Sequence, residues 1–104
     1  MTTTDVAPPP GTPTTVTVVH SEACHFCDDA LGALADLGAR HALEVSVVDI
    51  DSALGATLVA VHRPAMNPLV LVDGAYFSSG RLPRKKLARL LEARAAAALT
   101  TAGR

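Results

Sequence analysis

Apolar and polar positions follow two different periods along the chain. From Thr15 to His20 a run of β-branched residues, Thr15-Val16-Thr17-Val18-Val19-His20, predicts a short strand. After the turn Ser21-Glu22-Ala23 the period lengthens. Cys27, Ala30, Leu31, Leu34 and Leu37 recur at three- and four-residue steps, which predicts a helix from about Cys24 to Leu37 with Gly38 as its terminator. Residues 43–50 predict a second strand, and Asp51 or Ser52 can cap a helix that runs to about His62 and is stopped by Pro64. Pro68 leads directly into the apolar run 69–72, Asp73-Gly74 signals a tight hairpin turn, and residues 75–78 return as an antiparallel edge strand. Residues 82–99 read as a long final helix with Leu87, Leu90 and Leu91 on its buried side.

The order is therefore β-α-β-α-β-β-α. The first two strands are expected to be parallel, because a helix of this length is the usual crossover between them. This is an α/β chain with a four-stranded mixed sheet and helices on both faces. At 104 residues, 49% hydrophobic and 18% charged, it fits one domain, placed at residues 15–99. Residues 1–14, with Pro8-Pro9-Pro10, Gly11 and Pro13, read as a disordered Thr/Pro-rich tail, and residues 100–104 as a flexible C-terminus. With one Tyr, two Phe and no Trp, the core must be built from Leu, Val, Ile and Ala.

The formal net charge of −1 gives no reason to expect a nucleic acid or an anionic membrane as partner. The distribution is uneven, with Arg81, Arg84, Lys85, Lys86, Arg89 and Arg94 crowded near the C-terminus beside Glu92 alone. Such a run is read as the solvated face of a helix, or else as a docking patch for an acidic partner. The N-terminus has no basic segment followed by an apolar one, as a secretory signal would, and no run approaches a membrane span. The expectation is a cytoplasmic monomer.

Two cysteines, separated by two residues, make up the chain's whole thiol content. A loop that short restricts the unfolded chain very little, so the pair does not read as a structural staple. Between a strand and a helix, Cys24-His25-Phe26-Cys27 is the arrangement expected of a redox-active dithiol. Cys24 falls at or near the helix N-cap, where unsatisfied N–H groups and the positive end of the helix dipole favour thiolate over thiol. That makes Cys24 the candidate nucleophile. Cys27, one turn further in on the core-facing stripe, is the candidate resolving cysteine. His25 faces outward, where it could stabilise the thiolate or act only as an exposed spacer. Asp28 and Asp29 favour the first helical turn but oppose a nearby thiolate, and Phe26 offers apolar cover beside the sulfurs.

Over roughly residues 15–95 the chain resembles the glutaredoxin-like branch of the thioredoxin superfamily. The resemblance rests on the strand followed by Cys24-His25-Phe26-Cys27, on Asn67-Pro68 before a strand, and on Asp73-Gly74 followed by Ser79-Gly80 and a last helix. It implies a thioredoxin-like fold and thiol–disulfide oxidoreductase activity on protein or small-molecule disulfides. It also implies a cis Pro68 facing the dithiol, with Met66 and Asn67, together with Phe26, Ser79 and Gly80, in the substrate groove. A cis bond is energetically accessible at proline alone. No bound cofactor is implied beyond the redox-active disulfide. The chain lacks the proline or tryptophan usual in and beside this motif, and Ser79-Gly80-Arg81-Leu82 matches the glutathione-binding Gly-Gly pattern only in part. The electron donor therefore stays open between glutathione, another low-molecular-weight thiol and a flavoprotein reductase.

Two other readings compete. Cys24 and Cys27 could join His20 and His25, or a second chain, around zinc, copper or an iron–sulfur cluster; against this, no second C-x-x-C or H-x-x-x-H occurs, and His41 and His62 stand apart. Alternatively the chain is a non-catalytic adaptor whose basic last helix, with Arg84, Lys85 and Lys86, is the working surface. No Ser/His/Asp arrangement, phosphate-cradling glycine loop or basic–aromatic surface is present to suggest other chemistry.

Overall fold

The computed structural model describes residues 13–22 and 24–102, with side chains to residue 97. Its elements are β1 (Thr14–His20), α1 (His25–Gly38), β2 (Leu43–Asp49), α2 (Ala53–His62), β3 (Leu69–Val72), β4 (Ala75–Ser79) and α3 (Arg84–Ala102). The four strands form one sheet in the order β2-β1-β3-β4. β1 and β2 are parallel, whereas β3 is antiparallel to both β1 and β4.

Several boundaries differ from the sequence expectation, each for a local reason. Thr14, expected in the tail, belongs to β1: it pairs with Leu43 and its N–H donates to the Ala42 carbonyl at 3.0 Å. The rest of that expected tail, residues 1–12, lies outside the described residues. Gly38 closes α1 rather than following it, and the chain unwinds through Arg40 and His41, whose N–H groups both bond the Leu37 carbonyl. The last helix begins at Arg84, and the Pro83 carbonyl accepts the N–H of Leu87 at 3.1 Å. It continues to Ala102 instead of ending at Leu99, so the expected flexible C-terminus is helical at residues 100–102.

Asp73 and Gly74, at φ 50° and 84°, make the two-residue turn between β3 and β4, which matches the twist of paired strands. A bulge follows. Val70 pairs with Ser78 but Leu71 with Tyr76, so Phe77 is inserted without a partner in the ladder and β4 gains one residue over the expected strand.

Each face of the sheet carries its own core. On one face Val16, Val18, Val70 and Val72 pack against Ala30, Ala33, Leu34 and Leu37 of α1 and against Leu82, Leu87 and Leu91. On the other, Val19, Val48, Leu69 and Leu71 meet Leu58 and Val59 of α2. Consecutive Val18 and Val19 are both fully buried because a strand sends neighbouring side chains to opposite faces. The α1/α3 face is much the deeper. α2 buries only Gly55 completely.

Candidate functional site

β1 ends at His20, beside the start of β3, because the antiparallel register sets Val19 against Leu69. The segment leading to the cysteines and the segment containing Pro68 are thereby brought to one end of the sheet. They are joined there by a hydrogen bond from Asn67 Nδ2 to Ser21 Oγ at 3.4 Å. The Asn67–Pro68 peptide bond is cis, and Pro68 is fully buried. The Pro68 carbonyl accepts the N–H of Gly80 at 3.0 Å. Gly80 has φ +81°, and a Cβ there would lie 3.3 Å from Met66 Cβ, so Met66 rests against the glycine while half of it stays exposed. Met66, Asn67, Pro68 and Gly80 are thus gathered around the same bend. Ser79, next to Gly80, is half-buried and shares a hydrogen bond with Tyr76 Oη at 3.1 Å.

Cys24 is the N-cap of α1, in extended conformation (φ −99°, ψ 107°), with its sulfur accepting the N–H of Cys27 at 3.2 Å. The N-cap position aims the first-turn N–H groups and the positive helix end at this sulfur, an environment that favours negative charge on it. The Cys24 and Cys27 sulfurs are joined as a disulfide, with Cα atoms 5.1 Å apart. The two cysteines differ in access: Cys24 is half-buried, whereas Cys27 is 2% exposed and lies on the core-facing side of α1 with Ala30 and Leu34. An incoming sulfur can reach the first and not the second.

His25 is exposed and Phe26 half-buried, with ring centroids 6.1 Å apart. Asp28 points to solvent. Asp29 accepts a hydrogen bond from Arg84 Nη2 at 2.8 Å, which ties the start of α3 to the N-terminal half of α1. The Arg84 side chain is 51% exposed and that of Asp29 26%, so solvent screening keeps the contribution of the pair small. Lys86 holds its ammonium 5.1 Å from the centre of the Phe77 ring. Neither the Ser21–Asn67 bond nor the Asp29–Arg84 pair was expected. The only sequence signal for the second was opposite charge 55 residues apart.

Among the described residues, no three His, Cys, Asp or Glu side chains gather where they could hold a metal ion. No helix among them is long and apolar enough to cross a membrane.

No protein family model matches the chain, and no curated protein does. Among solved structures it is similar to the crystal structure of Trxlp from Edwardsiella tarda EIB202. That similarity has 18% sequence identity and a TM-score of 0.53, and covers 79% of this chain and 84% of that one. The four-stranded mixed sheet, its three helices and this neighbour together show that the chain has a thioredoxin-like fold.

Proposed function

We propose that the protein is a glutaredoxin-like dithiol–disulfide oxidoreductase acting through Cys24 and Cys27. The observation that carries this reading is the asymmetry of the pair: one cysteine half-buried at a helix N-cap with its sulfur accepting a backbone N–H, the other buried one turn inside and bonded to it. In the reduced protein the Cys24 thiolate attacks one sulfur of a substrate disulfide. A mixed disulfide forms, and the other substrate sulfur leaves as a thiolate that takes up a proton. Cys27 then gives up its proton and attacks Cys24 Sγ, which releases the second substrate thiol. The substrate gains two electrons and the protein is left as the Cys24–Cys27 disulfide. Two electrons from an external thiol, glutathione or another small one, or from a flavoprotein reductase, restore the dithiol.

In this reading His25 borders the attacking sulfur, and Phe26, Met66, Asn67, Pro68, Ser79 and Gly80 form the groove that receives the substrate backbone. The setting is the cytoplasm, where thiol pools keep such a dithiol cycling. The test is reduction of insulin and of a small disulfide by wild type, Cys24→Ser and Cys27→Ser, with each candidate donor supplied in turn. Loss of turnover in Cys24→Ser and accumulation of a mixed disulfide in Cys27→Ser are expected. Equal rates for all three proteins would sink the proposal.

A further inference from the structure

The charges at the start of α3 run against the helix that carries them. Arg84, Lys85 and Lys86 are its first three residues; its first turn holds no acid and its last turn no base. A helix N-terminus favours acidic side chains, so helix stability does not account for three cations there. Nor do they make a single solvated face, because three consecutive residues span about 200° of the helix circumference. They converge instead with Arg81 around one open depression of about 400 Å³, lined also by Leu82 and Pro83. All four cations are exposed, and among the described residues only Arg84 forms an ion pair, with Asp29.

The fold puts this cluster beside the dithiol. The strand order and the pairings of His20 with Asp49, Val19 with Leu69 and Leu69 with Ser79 bring Asp49, His20, Leu69 and Ser79 to one end of the sheet, in that order across it. The two middle ends lead to Cys24 and Pro68. On the β4 side the chain continues through Gly80, whose N–H bonds the Pro68 carbonyl, directly into Arg81. Arg84 in turn is held against α1 by Asp29, five residues after Cys24. On the β2 side stand Asp49 and Asp51, both exposed, and the exposed Glu22 and Asp28 beside the cysteines add to the acidic side. The dithiol therefore lies between an acidic flank and a basic one, although the whole chain has a formal charge of only −1. A field of that shape orients a charged protein as it approaches. It disfavours a nucleic acid, whose charge has one sign along its length, and four exposed cations do not make the desolvated pocket that a small anion needs.

We propose that Arg81, Arg84, Lys85 and Lys86 dock an acidic segment of a protein substrate, a carboxylate-rich stretch next to the disulfide that Cys24 attacks. This rests on the oxidoreductase reading above and names the class of disulfide that it acts on. The acidic segment extends from the groove past Gly80 onto the cluster. Asp49 and Asp51 repel the same carboxylates from the other flank, so the substrate is accepted in one orientation.

The test measures the second-order rate at which the reduced full chain is oxidised by cystine-bridged peptides, a half-reaction that needs no external electron donor. Two peptides are compared, identical except that the bridged segment is flanked on both sides by Glu in one and by Gln in the other. Wild type is expected to react about tenfold faster with the Glu peptide at low salt, the lower end of electrostatic steering. Raising sodium chloride to about 0.5 M should shrink that advantage. R81Q/K85Q removes two cations of the cluster that form no ion pair, and should lose most of it. A93E/A97E lowers the net charge by the same amount at exposed positions further along α3, and should keep it. A wild-type advantage below about twofold overturns the proposal. So does an advantage that R81Q/K85Q lowers no more than A93E/A97E does. In either case a Cys24-dependent reaction with the Gln peptide leaves the oxidoreductase reading standing, whereas no reaction with either peptide overturns both.

Discussion

The sharpest energetic contrast in the molecule lies between two helical glycines, Gly55 in α2 and Gly32 in α1. On helix propensity alone, replacing either with alanine should stabilise the protein by about 0.5–1 kcal/mol. At Gly32 the propensity gain should appear in full, since a Cβ there meets nothing within 4 Å. At Gly55 the same methyl group would sit 2.9 Å from Ile50 Cα and collide with the Asp49 carbonyl oxygen. Both obstacles are backbone, so no rotamer change relieves them. α2 would have to lift from the end of β2, loosening Leu58 and Val59 from Val19, Val48, Leu69 and Leu71 and straining the Ser52 cap, whose hydroxyl accepts the Gly55 N–H at 3.0 Å. Overpacking of this kind costs ~1–3 kcal/mol or more. Loss of half the cap bond adds a few tenths to ~1 kcal/mol. Set against the propensity gain, Gly55→Ala should destabilise by about 2 kcal/mol, lowering the thermal midpoint by roughly 8–16 °C in a domain of this size. Gly32→Ala should raise it by about 2–8 °C. Thermal unfolding followed by far-UV circular dichroism, with both variants fully oxidised, reads both signs in one experiment. An unchanged or raised midpoint for Gly55→Ala would refute the close approach of α2 to β2.

Leu34 is 1% exposed at the centre of the α1/α3 core, so Leu34→Ala should cost ~2–5 kcal/mol in a urea titration; a loss under ~1 kcal/mol would mean that this core is not close-packed. Ser52→Ala removes the hydroxyl that accepts the Gly55 N–H and should cost about 1 kcal/mol by the same assay, with Ser52→Asn recovering most of it. Asp28 sits in the first turn of α1, one turn from the Cys24 sulfur, and its carboxylate opposes a thiolate there. Asp28→Asn should therefore raise the rate of Cys24 alkylation at neutral pH by up to about twofold, the size of an exposed one-turn charge interaction. A slower rate would mean that the carboxylate helps the thiolate rather than opposing it.

Elements with a strong local signal were legible in the sequence. The β-branched run of β1, the Asp73-Gly74 turn and the periodic stripe of α1 each depend on residues close together in the chain, and each stands within a residue of where its pattern placed it. What could not be read depends on contacts between distant segments. Val45 and Val47 look like core positions, yet they are 39% and 49% exposed. The strand order leaves β2 at the sheet edge, and nothing within β2 encodes that order. The bulge at Phe77 is equally silent, because an inserted residue appears only when two strands are laid side by side. In the site, the cap position of Cys24 was readable from the strand–turn–helix pattern. The Ser21–Asn67 bond was not, since 46 residues separate its partners and only the β1–β3 pairing brings them together.

The two helix starts on this sheet explain why the cysteines are spaced as they are. At α2, Ser52 is the N-cap and its hydroxyl takes the N–H of the third helical residue, Gly55. At α1, Cys24 is the N-cap and its sulfur takes the N–H of the third helical residue, Cys27. The two intervening residues are the spacing at which an N-cap side chain meets a free backbone donor. In α1 the residue supplying that donor also carries the second sulfur. One step of helix geometry therefore does three things: it caps the helix, places the first sulfur at the electropositive helix end, and sets the second within bonding distance. Helix periodicity then turns Cys27 toward Ala30 and Leu34 in the deeper of the two cores, so that the inner sulfur is held by packing while the outer one stays accessible. With four residues between the cysteines, the second would turn off the buried stripe. With one, it would take the place of Phe26, which is only half-buried. The difference in access between the two sulfurs thus follows from where a strand ends and a helix begins, before any substrate is considered.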